Sequence, residues 1–268
     1  PNSGSGRSRV IVFFRLYPEE YGPRLFELLG WEGGRGVKRF EHTAMTEGAP
    51  VLSVRDLHFP ALPPMTFDIR RGEIAFLRDE NYNTGRRLHE CFLGDRGWTS
   101  GFFRLNGRLY QPGDLGRVIG SEIGIQIERP DRPGGVLFDN MTALDNLCTS
   151  LIPKAGQHII RKKIVSSILS EALRWFPKEM LLQPLSSWSY PERLRFSYYR
   201  WYLLNPRLLI CFFPFAGQES THHKMIIDLL VLCAQRGMAV WIISSGIDAI
   251  CEKTDNEEFL RRLHYLNK

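Results

Sequence analysis

The sequence predicts an α/β core combined with a helical subdomain. Three observations predict this class. Strand-like segments dominate residues 50–127, apolar residues recur at helical spacing between 159 and 204, and the apolar run Leu208–Phe213 precedes a further helix and strand. Strand-rich, helix-rich and strand–helix–strand regions in this order are typical of a layered domain in which helices pack on a sheet.

Strands are predicted in the first part of the chain at Val51–Leu57, Glu73–Leu77 and Ile123–Ile127. A β-hairpin is predicted at Phe102–Tyr110 because Asn106-Gly107 suits a tight two-residue turn. The first part is therefore expected to be mostly β-structure.

Helices are predicted in the middle of the chain. One helix has an apolar face formed by Ile159, Ile160, Ile164, Val165, Ile168, Leu169, Ala172 and Leu173. A second runs from Pro191, which the first turn of a helix tolerates, to about Leu204. In the last part, we expect a helix at Thr221–Arg236 that ends at Gly237, a buried strand at Val240–Ser244 and a closing helix at 256–266.

The composition favours a globular protein of the reducing cytoplasm, with 43% hydrophobic and 24% charged residues. The five cysteines are odd in number and lack CxxC spacing, which argues against a disulfide framework or a zinc site. The longest apolar run, Leu208–Ala216, is too short to cross a bilayer, so direct membrane insertion is not expected. The net charge of +6 favours anionic partners, but the basic residues are dispersed, so specific nucleic-acid binding is not expected.

Six segments between residues 67 and 250 carry a family resemblance through their order. They are Phe67–Ile74, Glu80–Arg87, Gly124–Arg132, Trp188–Pro191, Leu208–Pro214 and Trp241–Ile250. The chain thereby resembles the ATPase subunits of ABC transporters, and within them the second cassette of sugar-importer ATPases. The resemblance covers about residues 50–252, although each motif is degraded.

This resemblance implies a P-loop NTPase-like ABC cassette core with an antiparallel β subdomain and a helical subdomain at about residues 140–205. It places the degenerate nucleotide-binding domain at residues 49–268. Residues 9–48 resemble the tail of a preceding cassette with its linker, and residues 1–8 have the composition of a linker or a cloning remnant.

The segment Glu80–Arg87 resembles the phosphate loop, whose working form is G-x-x-x-x-G-K-[ST]. Glu80 stands for the first glycine, Arg86 for the lysine and Arg87 for the hydroxyl residue that would hold magnesium. Magnesium is therefore not expected. Two readings remain open: either the arginines hold phosphate without a metal, or they pair with Glu80 and Asp79 and the pocket stays empty.

If nucleotide binding is retained, the expected binding residues are Phe59, Thr84, Gly85, Arg86 and Arg87. The backbone N–H groups after Gly85 would meet the phosphates, and Phe59 would stack on the base. ATP is then an allowed ligand, but no cofactor is required.

The signature position of the family falls on Trp188–Pro191, with Leu185–Trp188 as an alternative register. Ser189 is retained, whereas Tyr190 and Pro191 replace two glycines, which crowds the approach to a phosphate and removes one N–H donor. If Trp188 and Tyr190 are exposed, they would form an apolar patch suited to a protein contact.

The strand Leu208–Pro214 resembles the strand that ends with Asp and Glu in working cassettes, where these carboxylates support magnesium and polarise the attacking water. Phe212 and Phe213 occupy those positions. Glu219 falls in the loop where the family has an Asp, and Ser245 occupies the switch position, which therefore has no histidine. We predict no catalytic residues and no metal ligands.

These substitutions predict a degenerate ABC-type ATPase domain without hydrolytic activity. Its expected role is a structural or regulatory interaction module in a sugar-import or signalling system. The alternative is the ATP-binding subunit of a carbohydrate transporter that binds nucleotide or works with an active partner cassette. Expected partners are another cassette, a membrane subunit or a signalling module, and a homodimer is allowed. The expected location is cytoplasmic, with membrane association only through a partner.

Overall fold

The computed structural model describes residues 48–128, 137–155, 162–216 and 220–266. The predicted linker and tail at residues 1–47 lie outside these ranges, as do Glu219 and the part of the predicted first helix at Ile159 and Ile160. The described residues form two sheets and a set of helices.

Nine strands are described: β1 Leu52–His58, β2 Met65–Ile69, β3 Ile74–Arg78, β4 Ser100–Leu105, β5 Arg108–Tyr110, β6 Ile123–Ile127, β7 Leu208–Phe212, β8 Ala239–Ser244 and β9 Leu263–Tyr265. The described helices are α1 Asn83–Leu93, α2 Pro112–Leu115, α3 Ala143–Ala155, α4 Lys162–Ala172, α5 Lys178–Leu181, α6 Tyr190–Leu204, α7 Ser220–Gln235, α8 Ile247–Cys251 and α9 Glu257–Arg262. A short 3₁₀ helix lies at Leu185–Ser187.

The antiparallel sheet has the strand order β2-β1-β4-β5. The predicted hairpin is confirmed, because Leu105 of β4 pairs with Arg108 of β5 across Asn106 and Gly107. Both turn residues have positive φ, 49° and 76°, as a type I′ turn requires. This part of the chain therefore forms the antiparallel β subdomain.

The parallel sheet has the order β6-β7-β8-β3-β9. Every residue of β7 and β8 is buried, as expected for strands covered on both faces. The predicted strand at 123–127 is confirmed with the same bounds. The prediction of one closing helix at 256–266 is wrong in its second half: α9 ends at Arg262, and β9 adds to the sheet edge by pairing with β3, where its backbone groups find partners.

The two sheets share one apolar core. Phe67 of β2 packs against Trp241 of β8 with ring centroids 5.1 Å apart, which joins the antiparallel sheet to the face of the parallel sheet. The five cysteines are free thiols. Burial raises the pKa of the Cys148 and Cys233 thiols to about 12, which keeps these thiols protonated at neutral pH.

A buried polar cluster joins the helical part to the parallel sheet. The Gln126 side-chain amide of β6 donates to Glu128 Oε1 at 2.6 Å and to Ser197 Oγ at 3.0 Å, and its oxygen accepts from Trp201 Nε1 at 2.9 Å. Ser197 and Trp201 lie on α6. Because Gln126 is fully buried and its bonds are directional, the cluster fixes how α6 sits against β6.

Gly101 is required where β4 crosses a bulge in β1. A Cβ at Gly101 would lie 2.2 Å from the Asp56 carbonyl oxygen, and φ at Gly101 is 84°. Gly107 has a similar φ of 76° but open space around it. We therefore expect Gly101→Ala to lower the free energy of unfolding by about 2 kcal/mol more than Gly107→Ala.

Urea denaturation of the two variants measures this difference. Gly107→Ala serves as the matched control because it carries the same backbone strain without the clash. Equal losses in the two variants would show that the Asp56 backbone does not constrain this crossing.

Candidate functional site

The candidate site lies where three neighbouring strands end. Because β7, β8 and β3 are parallel and adjacent, their carboxyl ends meet at one edge of the sheet, the usual place for ligand sites in such sheets. The residues that follow these strands are Asp79 after β3, Phe213 after β7 and Ser245 after β8. The structure thus brings the predicted phosphate loop, the altered strand end and the switch position together.

The segment that resembles the phosphate loop turns tightly into α1. The helix begins at Asn83, after Tyr82 in a left-handed conformation with φ of 57°. Gly85 consequently lies in the first turn of the helix, and only four residues separate β3 from α1. The backbone N–H groups of Thr84 and Gly85 are among the first four of the helix, which have no partner within it.

The Asp79 carboxylate accepts hydrogen bonds from these amides. Thr84 N donates to Asp79 Oδ1 at 3.2 Å, and Gly85 N donates to Asp79 Oδ2 at 2.7 Å. Asp79 is only 6% exposed. A negative charge at a helix N-terminus is favourable, so the chain itself supplies an anion at the start of α1. We expected phosphates at the N–H groups that follow Gly85; the Asp79 carboxylate instead binds the amides of Thr84 and Gly85.

The Phe213 ring covers Gly85 from the other side. A Cβ at Gly85 would lie 2.6 Å from Phe213 Cζ and 3.2 Å from Asp79 Oδ2. The Phe213 ring also packs against Tyr82, with ring centroids 4.6 Å apart. Phe213 itself has φ of 52°, a conformation that bulky residues rarely adopt. The space above the helix N-terminus is therefore filled by aromatic rings.

The arginines do not form the predicted ion pairs. Arg87 Nη1 donates to Glu90 Oε2 at 3.2 Å within α1, and Glu80 lies 3.5 Å from Arg78. Among the described residues, no hydrogen bond or ion pair involves the guanidinium of Arg86, which is exposed. The expectation that Arg86 and Arg87 neutralise Glu80 and Asp79 is corrected, because Asp79 faces the helix amides instead.

Arg78 connects the loop to the region after β8. Its guanidinium contacts Glu80 on one side and donates a hydrogen bond to Asp248 of α8 on the other. Tyr265 Oη donates to Asp248 Oδ1 at 3.2 Å. Burial raises the pKa of Tyr265, so this hydroxyl stays protonated and remains a donor. The segment after β3 is therefore held to α8 through one guanidinium.

Phe59 does not lie at the site. It is 1% exposed and belongs to the core shared by the two sheets. The expectation that its ring stacks on a base is corrected, because no face of the ring reaches solvent in this arrangement.

The end of β7 carries the aromatic side chains of Phe212 and Phe213, at the positions that the sequence resemblance equates with carboxylates. Phe212 is 1% exposed and packs edge-on against His89, with ring centroids 5.8 Å apart. Ser245 is partly buried, and its carbonyl accepts from Ser244 Oγ at 3.3 Å. Within the described ranges there is no group of three or more His, Cys, Asp or Glu residues that could hold a metal ion.

The residues at the signature position cap α6. Ser189 is its N-cap, and both Ser189 N and Ser189 Oγ donate to Glu192 Oε2 at 2.7 Å. Pro191 has no N–H, and the Tyr190 ring packs against His222 at 5.4 Å. A carboxylate of the chain again lies at the helix N-terminus, where a phosphate would have to approach.

Trp188 is 6% exposed and packs between Phe176 and Phe196, with ring centroids 5.5 Å and 5.3 Å away. The prediction of an exposed patch formed with Tyr190 is therefore wrong for Trp188. Its ring is part of the core of the helical region.

The sequence did not predict the roles of three residues at the site. Asp79 accepts hydrogen bonds from the helix amides, and Arg78 with Asp248 links the loop to α8. The available signal for Asp79 was a carboxylate immediately after a buried strand and a few residues before a helix start, which is a common capping arrangement. The Arg78–Asp248 contact spans 170 residues, and no local pattern indicates it.

The chain has the ATP-binding-cassette fold. It aligns with the solved structure of cbiO1 from Clostridium perfringens, part of the ABC transporter complex cbiONQ, with a TM-score of 0.62 over 82% of this chain and 86% of that one at 19% identity. It also aligns with a dimeric cassette bound to ADP and phosphate, with a TM-score of 0.57 over 81% of this chain and 94% of that one at 16% identity.

In sequence the chain is distantly similar to sugar-importer ATPases. It is 26% identical over 212 residues to a ribose/galactose/methyl galactoside import ATP-binding protein of Pseudomonas syringae pv. tomato, covering 78% of this chain and 40% of that protein. It is 24% identical over 241 residues to a fructose import ATP-binding protein of Bifidobacterium longum, covering 85% and 45%. The chain thus spans less than half the length of these relatives. No protein-family model matches it.

None of the helices in the described ranges is both long enough and apolar enough to span a bilayer.

The Ser189 cap makes a testable contribution to stability. We expect Ser189→Ala to lower the free energy of unfolding by about 1 kcal/mol, because the hydroxyl bond to Glu192 is lost at the start of α6. Urea denaturation measures the change, with Ser186→Ala as the control because Ser186 is exposed in the preceding turn. If the two variants lose the same free energy of unfolding, Ser189 does not stabilise the start of α6 as a cap.

Proposed function

We propose that this chain is a cassette domain that does not hydrolyse ATP and that serves a larger assembly through structure and contacts. The observation that carries the proposal is the aromatic end of β7. Hydrolysis in a cassette needs a carboxylate to orient and polarise water and a second to support magnesium, and Phe212 and Phe213 can do neither.

The phosphate loop supports the same proposal. The residue at the metal-binding hydroxyl position is Arg87, whose guanidinium is engaged with Glu90. A cation there repels magnesium rather than coordinating it. Asp79, although a carboxylate, is committed to the amides of Thr84 and Gly85. Loss of activity therefore rests on two separate elements of the site.

A second candidate function is an ATP-binding subunit of a carbohydrate transporter that binds nucleotide or works with an active partner cassette. The sequence relatives favour it, since they are import ATP-binding proteins. The exposed Arg86 near the start of α1 also favours an anionic ligand. Titration calorimetry with ATP, with and without magnesium, separates the two candidates: heat that saturates supports nucleotide binding, and its absence at millimolar ATP rejects it.

The proposed partners follow from the fold rather than from a visible interface. A cassette-type chain would act in the cytoplasm beside a membrane subunit, another cassette or a signalling module. The dimeric cassette with the same fold supports pairing of two such domains, either with a second copy or with an active cassette. From the resemblance alone, we also propose that residues 9–48 end a preceding cassette. Sedimentation velocity across a concentration series tests self-association.

The ATPase proposal predicts that the purified chain releases no phosphate from magnesium-ATP above the rate of an Arg86→Ala control. The physical reason is that in both proteins Phe212 and Phe213, and no carboxylate, stand at the end of β7, so any residual rate comes from contaminating enzymes and is the same in both. Phosphate release is followed by a coupled assay over hours.

A rate in the unaltered chain that Arg86→Ala removes would reject the proposal. Arg86 is a suitable control because it is exposed and its replacement leaves the core intact.

A further inference from the structure

We infer that the chain blocks its own phosphate cradle, by which we mean the backbone amides of Thr84 and Gly85 at the start of α1. The Asp79 carboxylate occupies the place of a phosphate at these amides, and the Phe213 ring covers them. The inference rests on the proposed function only in taking the start of α1 as the phosphate site of a cassette. It concerns whether any phosphate-bearing ligand can reach this site, whereas the proposed function concerns hydrolysis of ATP.

Asp79 is held in place by its backbone as well as by its side chain. Its N–H donates to the Ser244 carbonyl at 2.9 Å, which continues the pairing between β3 and β8. Its carboxylate then reaches the amides of Thr84 and Gly85 at 3.2 Å and 2.7 Å. An entering phosphate would need the same amides and would meet a buried negative charge a few ångströms away, which repels it strongly in a site of low dielectric.

Phe213 is fixed by the neighbouring strand. Its N–H donates to the Ile243 carbonyl at 2.8 Å, so the residue continues the β7–β8 register past the end of β7. From that position its ring lies so close to Gly85 that even a methyl group there would clash. A phosphate group is much larger than a methyl group, so the ring must move before a phosphate can enter.

The closed arrangement carries backbone strain. Phe213 and Tyr82 pack against each other, and both have left-handed φ values, 52° and 57°. Neither residue type favours this region, and such conformations persist only where surrounding contacts hold them. Here one such contact is the ring pair itself. Two residues before Tyr82, Glu80 is held through the Arg78 guanidinium to Asp248 of α8.

Opening would require Tyr82 to leave Phe213 and the Phe213 ring to move off Gly85, while the backbone bond from Phe213 N to the Ile243 carbonyl holds the residue in place. The Asp79 carboxylate would then be the remaining obstacle to a phosphate. A partner that binds the exposed Tyr82, which is 48% exposed, would favour the open form by the difference in its affinity for the two forms.

The test uses inorganic pyrophosphate without magnesium as the probe and the full chain as the protein. Titration calorimetry compares the unaltered chain, Phe213→Asn, Asp79→Asn and the double variant. Asn tolerates a left-handed backbone at 213. At 79 it removes the charge and keeps one accepting oxygen for the Gly85 amide, while its NH2 group replaces the oxygen that accepts from Thr84 N. Phe138→Asn, at an exposed aromatic residue remote in sequence from the loop, is the matched control.

We expect no detectable binding by the unaltered chain or by Phe138→Asn at millimolar pyrophosphate, and binding at least about tenfold tighter in the double variant, because apparent affinity rises with the populated fraction of the open form. If the double variant proves unfolded by circular dichroism, Tyr82→Gly provides the second test. It removes the ring that holds Phe213 and suits the left-handed φ, so it should also raise the affinity.

Two outcomes overturn the inference. In one, the unaltered chain binds pyrophosphate as tightly as the folded variants, which means that the cradle is not occluded. In the other, folded variants bind no pyrophosphate, which means that Asp79 and Phe213 complete a core without affinity for anions. Neither outcome restores a hydrolytic group, so the proposed lack of ATPase activity is judged separately by phosphate release.

Discussion

Parallel pairing of β7, β8 and β3 is the constraint on which the rest of the structure depends. The register sets Phe212 opposite Ile243 and Arg78 opposite Ser244, so the three strands finish at one level of the sheet. Whatever residues follow must therefore meet in a small volume. Because β7 and β8 are buried on both faces, a slip of one residue would carry each side chain into the opposite core, where the packing differs. The chemistry of the site is then decided by which side chains the sequence places after the strands.

In this chain the side chains that follow the strands bind or cover groups of the chain itself. The carboxylate after β3 binds the amides that begin α1, and the ring after β7 fills the space above them. At the start of α6, Glu192 does the same for Ser189. Donors that serve catalysis are aimed at charge on the reacting ligand. The amides of Thr84 and Gly85 are instead engaged by a carboxylate of the chain, which stabilises the start of α1.

The sequence could predict the elements that depend on local pattern. The turn at Asn106-Gly107, the strand Ile123–Ile127 and the buried run of β7 follow from residue type and periodicity. The sequence could not predict features that depend on which way a side chain faces in the folded chain. An aromatic residue at 59 can face a ligand or a core, and only packing against both sheets decides it.

We infer that Asp79 and Phe213 of the chain itself close the amides at the start of α1 to a phosphate. A crystal structure of the chain grown with excess magnesium-ATP provides the test. We expect no nucleotide density at α1, and we expect Asp79 still to accept from Gly85 N near 2.7 Å with the Phe213 ring above. Phosphates bound at the Thr84 and Gly85 amides, with the Asp79 carboxylate displaced and the ring swung away, would contradict it.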